Sequence, residues 1–443
     1  MRLNIHRGPA RHGPVTWPAP RRQAQRLEPW FIPFALINGA AVGLSPILLP
    51  LAAARQGAGH VGLVMGAFNL GAFGAPPAGA LADRYRGYRS IAVACAALCA
   101  VSLWLFPLAG SGVQLLLALA DGAGFAGAVT IANLLIVERR PQSEWNQRLG
   151  WLETALSVGQ GCALLLAAWL TGLGARSGLL IAALVPAAAI PLAVVLIPPV
   201  PGPGSQHAER AGHQLADAGR VGEWGPASPS RVQHLHQRRH PLAVLRRTAA
   251  LARGRFGWLL AAWIPAYAGS AIVFSLYPVL FEHAFGVAPR TSSIAFAVIV
   301  FLSLPLFAVA GRFSQRRGPS AALAGALAAR VILLAVLAVL AAAGQVPVLL
   351  PLAAFSGVMF AWSFLSVASP GLTGELAGGA EGEAQGILAA SSGIAGFAGS
   401  VAGGLAAAHW GYPAALGIGA GATMGGLVIF SAKLLRAGRR ARP

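Results

Sequence analysis

Asp121 is an acidic residue inside a long apolar segment, and Gly122 and Gly124 follow it within one turn. A charge in the middle of a membrane span costs about 2.5–3.5 kcal/mol on insertion scales, so such a residue usually has a function. A carboxylate there can take up and release a proton, or it can pair with a cationic ligand. The alternative is a hydrogen bond between packed helices. We favour the functional role.

Two further charged residues lie within apolar segments. Glu153 comes five residues after Arg148, a spacing that does not place the two side chains on one helix face. Glu153 therefore either faces a cavity mouth or forms an ion pair at the membrane surface, and both alternatives stay open. For Arg330 we expect a structural role, with its long side chain snorkelling to the membrane interface.

Neutral polar and aromatic side chains recur in these segments where they can face a common centre. The candidates are Asn38, Tyr267, Ser270, Trp362, Ser363 and Ser366. An aromatic and hydroxyl lining suits a modestly polar organic ligand. For any single residue of this set, a hydrogen bond between helices is the alternative.

Twelve apolar segments of about 20 residues must position these side chains, and each can cross a bilayer core of roughly 30 Å as a helix. The chain is 56% hydrophobic and 10% charged, well below the roughly 25% charged residues of soluble domains. The predicted spans are 30–52, 58–81, 90–109, 113–137, 149–172, 177–197, 256–281, 291–312, 320–343, 346–370, 384–408 and 411–434. Their continuous apolar character predicts an all-α polytopic membrane protein rather than barrel strands.

Nearly all 33 basic residues fall on one side of these spans. They lie in the arm before residue 30, at 84–89, 139–148, 210–255 and 312–317, and in the tail from residue 433. The other side has only Arg55, Arg176 and Arg290. The positive-inside rule therefore places both termini in the cytoplasm and predicts a multi-pass protein of the cytoplasmic (inner) membrane. The net charge of +20 is expected to face anionic lipid headgroups rather than nucleic acid.

The two halves of the chain repeat at an offset of 232 residues. Asn38 matches Ser270 and Arg84 matches Arg316 at this spacing. We predict an N-terminal arm (1–29), two six-helix bundles (30–197 and 256–435), a cytoplasmic linker (198–255) and a tail (436–443). A duplicated six-helix unit is a transporter architecture, with the substrate bound between the halves.

The linker contains His234, His236 and His240. Neighbouring arginines oppose metal binding at such a site, so we expect no metal and no cofactor. Cys95, Cys99 and Cys162 lie inside predicted spans, where a disulfide framework is not expected.

The loop after the second span reads Gly79-Ala-Leu-Ala-Asp83-Arg84-Tyr-Arg86-Gly87-Tyr-Arg89. It resembles the signature of the major facilitator superfamily, with one residue inserted before Gly87, and a degenerate copy begins at Gly311. The resemblance covers residues 30–435 and implies the major facilitator fold. It also implies a cytoplasmic latch that stabilises one access state. The expected latch residues are Gly79, Asp83, Arg84, Arg86, Gly87 and Arg89, with Glu381 and Glu383 as candidate partners of the arginines.

The fourth span departs from the family pattern. Ala118 stands where the family has an arginine associated with proton coupling, and Asp121 stands where it has a glutamine. The fifth span also lacks the Gly-Pro element of the drug–proton antiporters. Both differences weaken an assignment to that branch.

The leading interpretation is a secondary active transporter of a small organic solute, monomeric and not an enzyme, with protons as the candidate coupling ion. No Gly-x-x-x-x-Gly-Lys-Ser/Thr run is present, so a gradient is the expected energy source. Export is favoured because polar residues are few. The alternatives are an uptake carrier for a sugar or other metabolite, a polytopic membrane enzyme and a non-transporting sensor. An exporter predicts a large apolar cavity with one acid, and an uptake carrier predicts a tighter, polar site.

Overall fold

The computed structural model describes residues 28–85, 87–140, 145–198, 254–377 and 381–435. The predicted linker and tail therefore lie almost wholly outside the described residues. Within the described part, every regular element is helical.

Eleven helical spans in this part of the chain are long and apolar enough to cross a membrane. We number the principal helices in chain order. They are α1 (Phe31–Gln56), α2 (Ala58–Ala82), α3 (Tyr88–Leu105), α4 (Ser111–Arg139), α5 (Trp145–Leu170), α6 (Ala175–Leu196), α7 (Arg255–Phe285), α8 (Pro289–Arg317), α9 (Pro319–Ala343) and α10 (Leu349–Leu376).

The last span contains two helices. Gly411 interrupts Glu381–Phe430 with φ 81° and ψ 171°, which is a conformation that glycine adopts without strain from a Cβ atom. We call the two parts α11 (381–410) and α12 (412–430). The described chain therefore has the twelve spans that the sequence predicts, in two sets of six.

The buried residues form one large cluster that spans both halves, with Leu48 and Phe281 among its members, and one further cluster within each half. One cluster of buried residues, around Phe34, Cys99 and Leu135, belongs to the first six helices. A second, around Trp263, Leu327 and Leu365, belongs to the last six. Large apolar side chains such as Val195, Leu349 and Val339 are mostly exposed on the outside, as expected of a surface that contacts lipid.

The two bundles contact each other through α2 with α11 and α5 with α8. A Cβ atom at Gly62 of α2 would collide with the backbone of Ser400 and Gly404 of α11, so only glycine allows this approach. Likewise, the Phe301 ring of α8 lies over Gly161 of α5.

We call the face where α2 and α8 end and α3 begins the basic face, because Arg84, Arg89 and Arg316 lie there. The opposite face carries the turns at Gly57 and Gly411. Gly62 lies near the start of α2 and Gly404 near the end of α11, so the α2–α11 contact joins the bundles towards the opposite face.

Candidate functional site

A central cavity lies between the two bundles. It has two adjoining lobes of about 210 Å³ and about 380 Å³. Both lobes share Phe68, Asn69, Tyr267 and Trp362. Helices of both bundles therefore contribute to one continuous site.

The first lobe is lined mainly by apolar and aromatic side chains, with a few neutral polar groups. Its polar residues are Asn69, Gln160, Tyr267, Ser270 and Ser275. The second lobe adds Ser366, Ser369, Gln385 and Ser392. No acidic or basic side chain of the described residues lines either lobe. The walls can thus hold an organic ligand by ring contacts and a small number of hydrogen bonds.

Aromatic rings of the C-terminal bundle form one wall. The Tyr267 ring packs edge to face on Trp362, with centroids 6.0 Å apart, and contacts Trp263 at 5.7 Å. Trp263 donates a hydrogen bond from Nε1 to Oγ of Ser392 at 2.8 Å. These contacts fix the ring planes, because each ring is held by a neighbour on another turn or helix.

Asn69 of α2 connects the two walls. Its Nδ2 donates to the Met65 carbonyl at 2.9 Å and to Oγ of Ser400 at 3.1 Å. Ser400 in turn shares a hydrogen bond with Ser275 of α7. A lining residue of the N-terminal bundle is therefore bonded directly to the C-terminal bundle.

The structure places only half of the predicted binding residues at the cavity. Tyr267, Ser270, Trp362 and Ser366 line it. Asn38 is buried and instead donates from Nδ2 to the Leu156 carbonyl at 2.8 Å. This bond joins α1 to α5.

Ser363 also lies away from the two lobes. It is fully buried, and its Oγ has no hydrogen-bond partner among the described residues. Since residues one apart on a helix point about 100° away from each other, Ser363 and its cavity-lining neighbour Trp362 face different directions.

Asp121 is buried inside the N-terminal bundle and does not line either lobe. Ser45 of α1 donates a hydrogen bond from Oγ to Oδ2 of Asp121 at 2.7 Å, and the Oδ1 atom has no partner in the described chain. The Cys99 thiol of α3 contacts the Asp121 carbonyl at 3.5 Å. Gly122, the next residue, does line the second lobe. Asp121 is therefore next in sequence to a lining residue, but its own contacts lie inside the N-terminal bundle.

Glu153 is exposed and has no hydrogen bond or ion pair with another described residue. Arg148 instead forms an ion pair with Glu28 at 3.1 Å, and Arg140 binds the same carboxylate at 2.9 Å. Glu153 and the cavity-lining Gln160 are seven residues apart, which places them on nearly the same face of α5. The alternative of an ion pair between Glu153 and Arg148 is therefore not observed in the described part of the chain, and a position at the cavity mouth stays a prediction.

Arg330 corrects the expectation of a snorkelling side chain. It is only 1% exposed, and α9 begins at Pro319, so Arg330 lies about 16 Å along the helix from that end. This distance is too long for the side chain to reach the basic face. Its Nη1 donates to Oγ of Ser270 at 2.5 Å. The guanidinium also lies 5.7 Å from the Phe274 ring centroid and 5.4 Å from that of Trp362.

Only parts of the predicted latch are described. The Arg84 guanidinium lies over the Tyr85 ring at 5.3 Å, and Arg89 donates to the Ile197 carbonyl from Nε at 2.9 Å and from Nη2 at 2.7 Å. Gly79 packs near Thr130, and Gly87 precedes the first turn of α3. The side chains of Asp83, Glu381 and Glu383, and the whole of Arg86, lie outside the described residues. The latch stays a prediction.

Many cavity residues were not among the predicted binding residues, including Asn69, Gln160 and Trp263. Periodicity gives one available signal, because Tyr267 is four residues after Trp263 and so lies on the same face of α7. Asn69 and Gln160 could not be assigned to the cavity from sequence, because their positions depend on how α2 and α5 are rotated about their axes. Within the described chain, no group of three or more His, Cys, Asp or Glu residues is placed to hold a metal ion, and His234, His236 and His240 lie outside it.

Twelve apolar helices in two bundles around a shared cavity are the architecture expected of a multi-pass membrane transporter. The family model of the Major Facilitator Superfamily matches residues 31–381, and the chain belongs to that family. A search of curated protein sequences found no significant match.

Solved structures of transporters share the fold. A point mutant of the nucleoside transporter NupG superposes with a TM-score of 0.71 at 14% identity, covering 92% of this chain and 100% of that one. The xylose transporter XylE from E. coli gives 0.67 at 14% identity, covering 92% and 98%. A POT family transporter in complex with a peptide conjugate gives 0.67 at 12% identity, covering 94% and 96%. At these identities the likeness shows the fold alone.

Proposed function

We propose that this protein is a secondary active transporter that moves a small organic solute across the cytoplasmic membrane by alternating access. The observation that carries the proposal is the position of the cavity. It lies between two bundles that contact each other through glycines towards the opposite face, and its second lobe extends to Ser369 and Gln385 near the basic face. When the two bundles rock about such a site, the cavity opens to one side of the membrane and closes to the other.

The positive-inside rule supports a cytoplasmic basic face and cytoplasmic termini. The described state would then be open towards the cytoplasm. Because residues of one chain line both lobes, we propose that the monomer is the transporting unit. The energy would come from a solute or proton gradient.

Export is the proposed direction, since the walls are mostly aromatic and apolar. The cavity lacks the lining acid that this assignment predicted, which leaves uptake as the second candidate. Uptake is favoured by the substrates of two similar structures, a nucleoside transporter and a D-xylose–proton symporter. Flux of a bound solute in right-side-out and inside-out vesicles distinguishes the two directions.

The first test is a thermal-shift screen of the purified protein in detergent. The panel contains sugars, nucleosides, amino acids, organic acids and lipophilic cations. A ligand of the native state raises the melting temperature. We expect a ligand that stabilises the wild type and not Trp362→Ala, while Trp169→Ala, an exposed tryptophan on α5, responds as the wild type does. A panel without any Trp362-dependent ligand, followed by absence of solute flux in proteoliposomes, would contradict the proposal.

A further inference from the structure

Arg330 is a buried cation without a buried anion beside it. No acidic side chain of the described residues lies within ion-pair distance of its guanidinium. The Nη1 atom is bonded to Ser270, Nε reaches the Val358 carbonyl at a long 3.4 Å, and Nη2 has no partner in the described chain. An uncompensated buried charge is strongly unfavourable unless something supplies the opposite charge.

The guanidinium lies directly behind the wall of the first lobe. Ser270, Phe274 and Trp362, which it contacts, all line that lobe. Only one layer of side chains therefore separates the cation from the cavity. In a low-dielectric environment a charge acts over several ångströms.

The described residues that line the first lobe include no charged side chain that could offset the charge of Arg330. The polar groups of the first lobe are amides and hydroxyls. Asp121, the buried acid of the N-terminal bundle, lines neither lobe and is in contact with Ser45 and Cys99. The first lobe thus presents neutral donors in front of an arginine, which favours negative charge on a ligand.

The hydrogen bonds at Ser270 have a defined direction. Its hydroxyl donates to the Ala266 carbonyl at 3.0 Å, so it accepts from Arg330. A ligand oxygen at this wall can receive a hydrogen bond from a reoriented Ser270 hydroxyl, while Arg330 acts on the ligand through its charge. A carboxylate accepts this hydrogen bond and is attracted by the cation, whereas an ammonium group cannot accept it and is repelled.

We propose that Arg330 supplies the counter-charge for the transported solute, which is a small organic carboxylate with an apolar or aromatic body. The body would contact Phe68, Phe274 and Trp362, and the carboxylate would face the Ser270–Arg330 pair. The inference rests on the proposed function, because it assigns the substrate class of the same cavity.

The test is a binding panel in which each carboxylate is paired with its amide and its amine. The central set is 3-phenylpropanoate, 3-phenylpropanamide and 3-phenylpropylamine, extended by shorter and longer members of the same three series. Wild type, Arg330→Lys and Arg330→Met are compared by thermal shift in detergent, after each variant is shown to be monodisperse. We expect at least one carboxylate to bind the wild type about tenfold more tightly than its amide. Arg330→Lys should keep this preference and Arg330→Met should lose it.

The ratio of carboxylate to amide affinity distinguishes charge recognition by Arg330 from a merely structural role of this residue. Misfolding would weaken the binding of both ligands and leave their ratio unchanged. Equal or better binding of the amides or amines, or an unchanged ratio in Arg330→Met, overturns the inference. In that case Trp362-dependent binding of the neutral or cationic ligand would still support a transporter. Loss of all Trp362-dependent binding would count against the proposed function itself.

Discussion

The Asn69 amide of α2 donates a hydrogen bond to Oγ of Ser400 of α11 at 3.1 Å, across the boundary between the two bundles. Both side chains belong to the network around the cavity, because Asn69 lines both lobes and Ser400 is bonded to the lining residue Ser275. A hydrogen bond between the two bundles is therefore also part of the cavity lining.

We expect Asn69→Ala to favour the state that opens to the opposite face. Loss of one neutral hydrogen bond is worth about 1 kcal/mol, or roughly fivefold in the ratio of the two states. The reporter is a cysteine at Val401, which lies against Gly66 of α2, labelled by an impermeant maleimide in a background with Cys162 replaced by serine. Asn133→Ala of α4 is the control. Unchanged labelling of Val401→Cys in the Asn69 variant would show that this hydrogen bond does not affect the ratio of the two access states.

We expect Gly62→Val to block closure towards the opposite face. A Cβ atom at Gly62 would already collide with the backbone of Ser400 and Gly404, and valine adds two more carbons. Solute flux in proteoliposomes should fall at least about tenfold, while the protein stays folded and the Val401→Cys reporter becomes more accessible. Gly172→Val serves as control, because no atom lies within 4 Å of a Cβ there. Normal flux through the Gly62 variant would show that this contact can open without loss of transport.

For Asp121 we expect a role in coupling rather than in ligand contact. An asparagine side chain there can still accept the hydrogen bond from Ser45, but it cannot exchange a proton. Asp121→Asn should therefore keep ligand binding in the thermal-shift assay and keep solute exchange at equal concentrations. It should lose transport driven by a pH gradient, as measured in proteoliposomes. Ser45→Ala is the companion variant, since it keeps the carboxylate. If gradient-driven transport survives in Asp121→Asn, the residue serves packing alone.

The latch predicts that reversing the charge of Glu383 will weaken closure of the basic face. Glu383→Arg would repel Arg84 and Arg89 where the wild type attracts them, so the ratio of states should shift away from the form closed at that face. Labelling of a cysteine at Ser369, which lines the second lobe, reports the change. Glu138→Arg on α4 controls for charge alone. Equal labelling in both variants would end the latch hypothesis.

Gly411→Ala should lower the stability of the C-terminal bundle. The residue has φ 81° at the turn between α11 and α12, where alanine is strained by about 1 kcal/mol or more. We expect a lower melting temperature in detergent. Gly417→Ala, within α12, has open space for a Cβ atom and should leave the temperature unchanged or raise it, because alanine favours helix. A Gly411 variant as stable as the wild type would contradict the strain argument.

The spans and the family could be predicted because they depend on properties summed along the chain. Hydropathy predicts the helices, and the loop at Gly79–Arg89 indicates the family. The helix ends were predicted less well: α8 reaches Arg317 and α10 reaches Leu376, beyond the predicted 312 and 370. Polar or charged residues continue these helices after the apolar stretch ends, so hydropathy alone stops too early.

The site was predictable only in part, because it depends on helix rotation. Tyr267 and Ser270 were found from their spacing on α7. Asp121 and Arg330 are each buried and line neither lobe of the cavity, and nothing in their local sequence shows which neighbours face them. The pairings with Ser45 and Ser270 come from helices more than 50 residues away in the chain.

The α2–α11 contact is made of glycine backbone, apolar side chains and a neutral amide–hydroxyl hydrogen bond, without an ion pair among the described residues. Dispersion and neutral hydrogen bonds are insensitive to ionic strength, whereas exposed charges are screened within about 10 Å at 0.1 M salt. Most of the charged side chains lie at the basic face, where the latch is predicted. If the latch forms, a rise in ionic strength would weaken it and leave the α2–α11 contact nearly unchanged, so the two ends of the molecule would respond differently to salt.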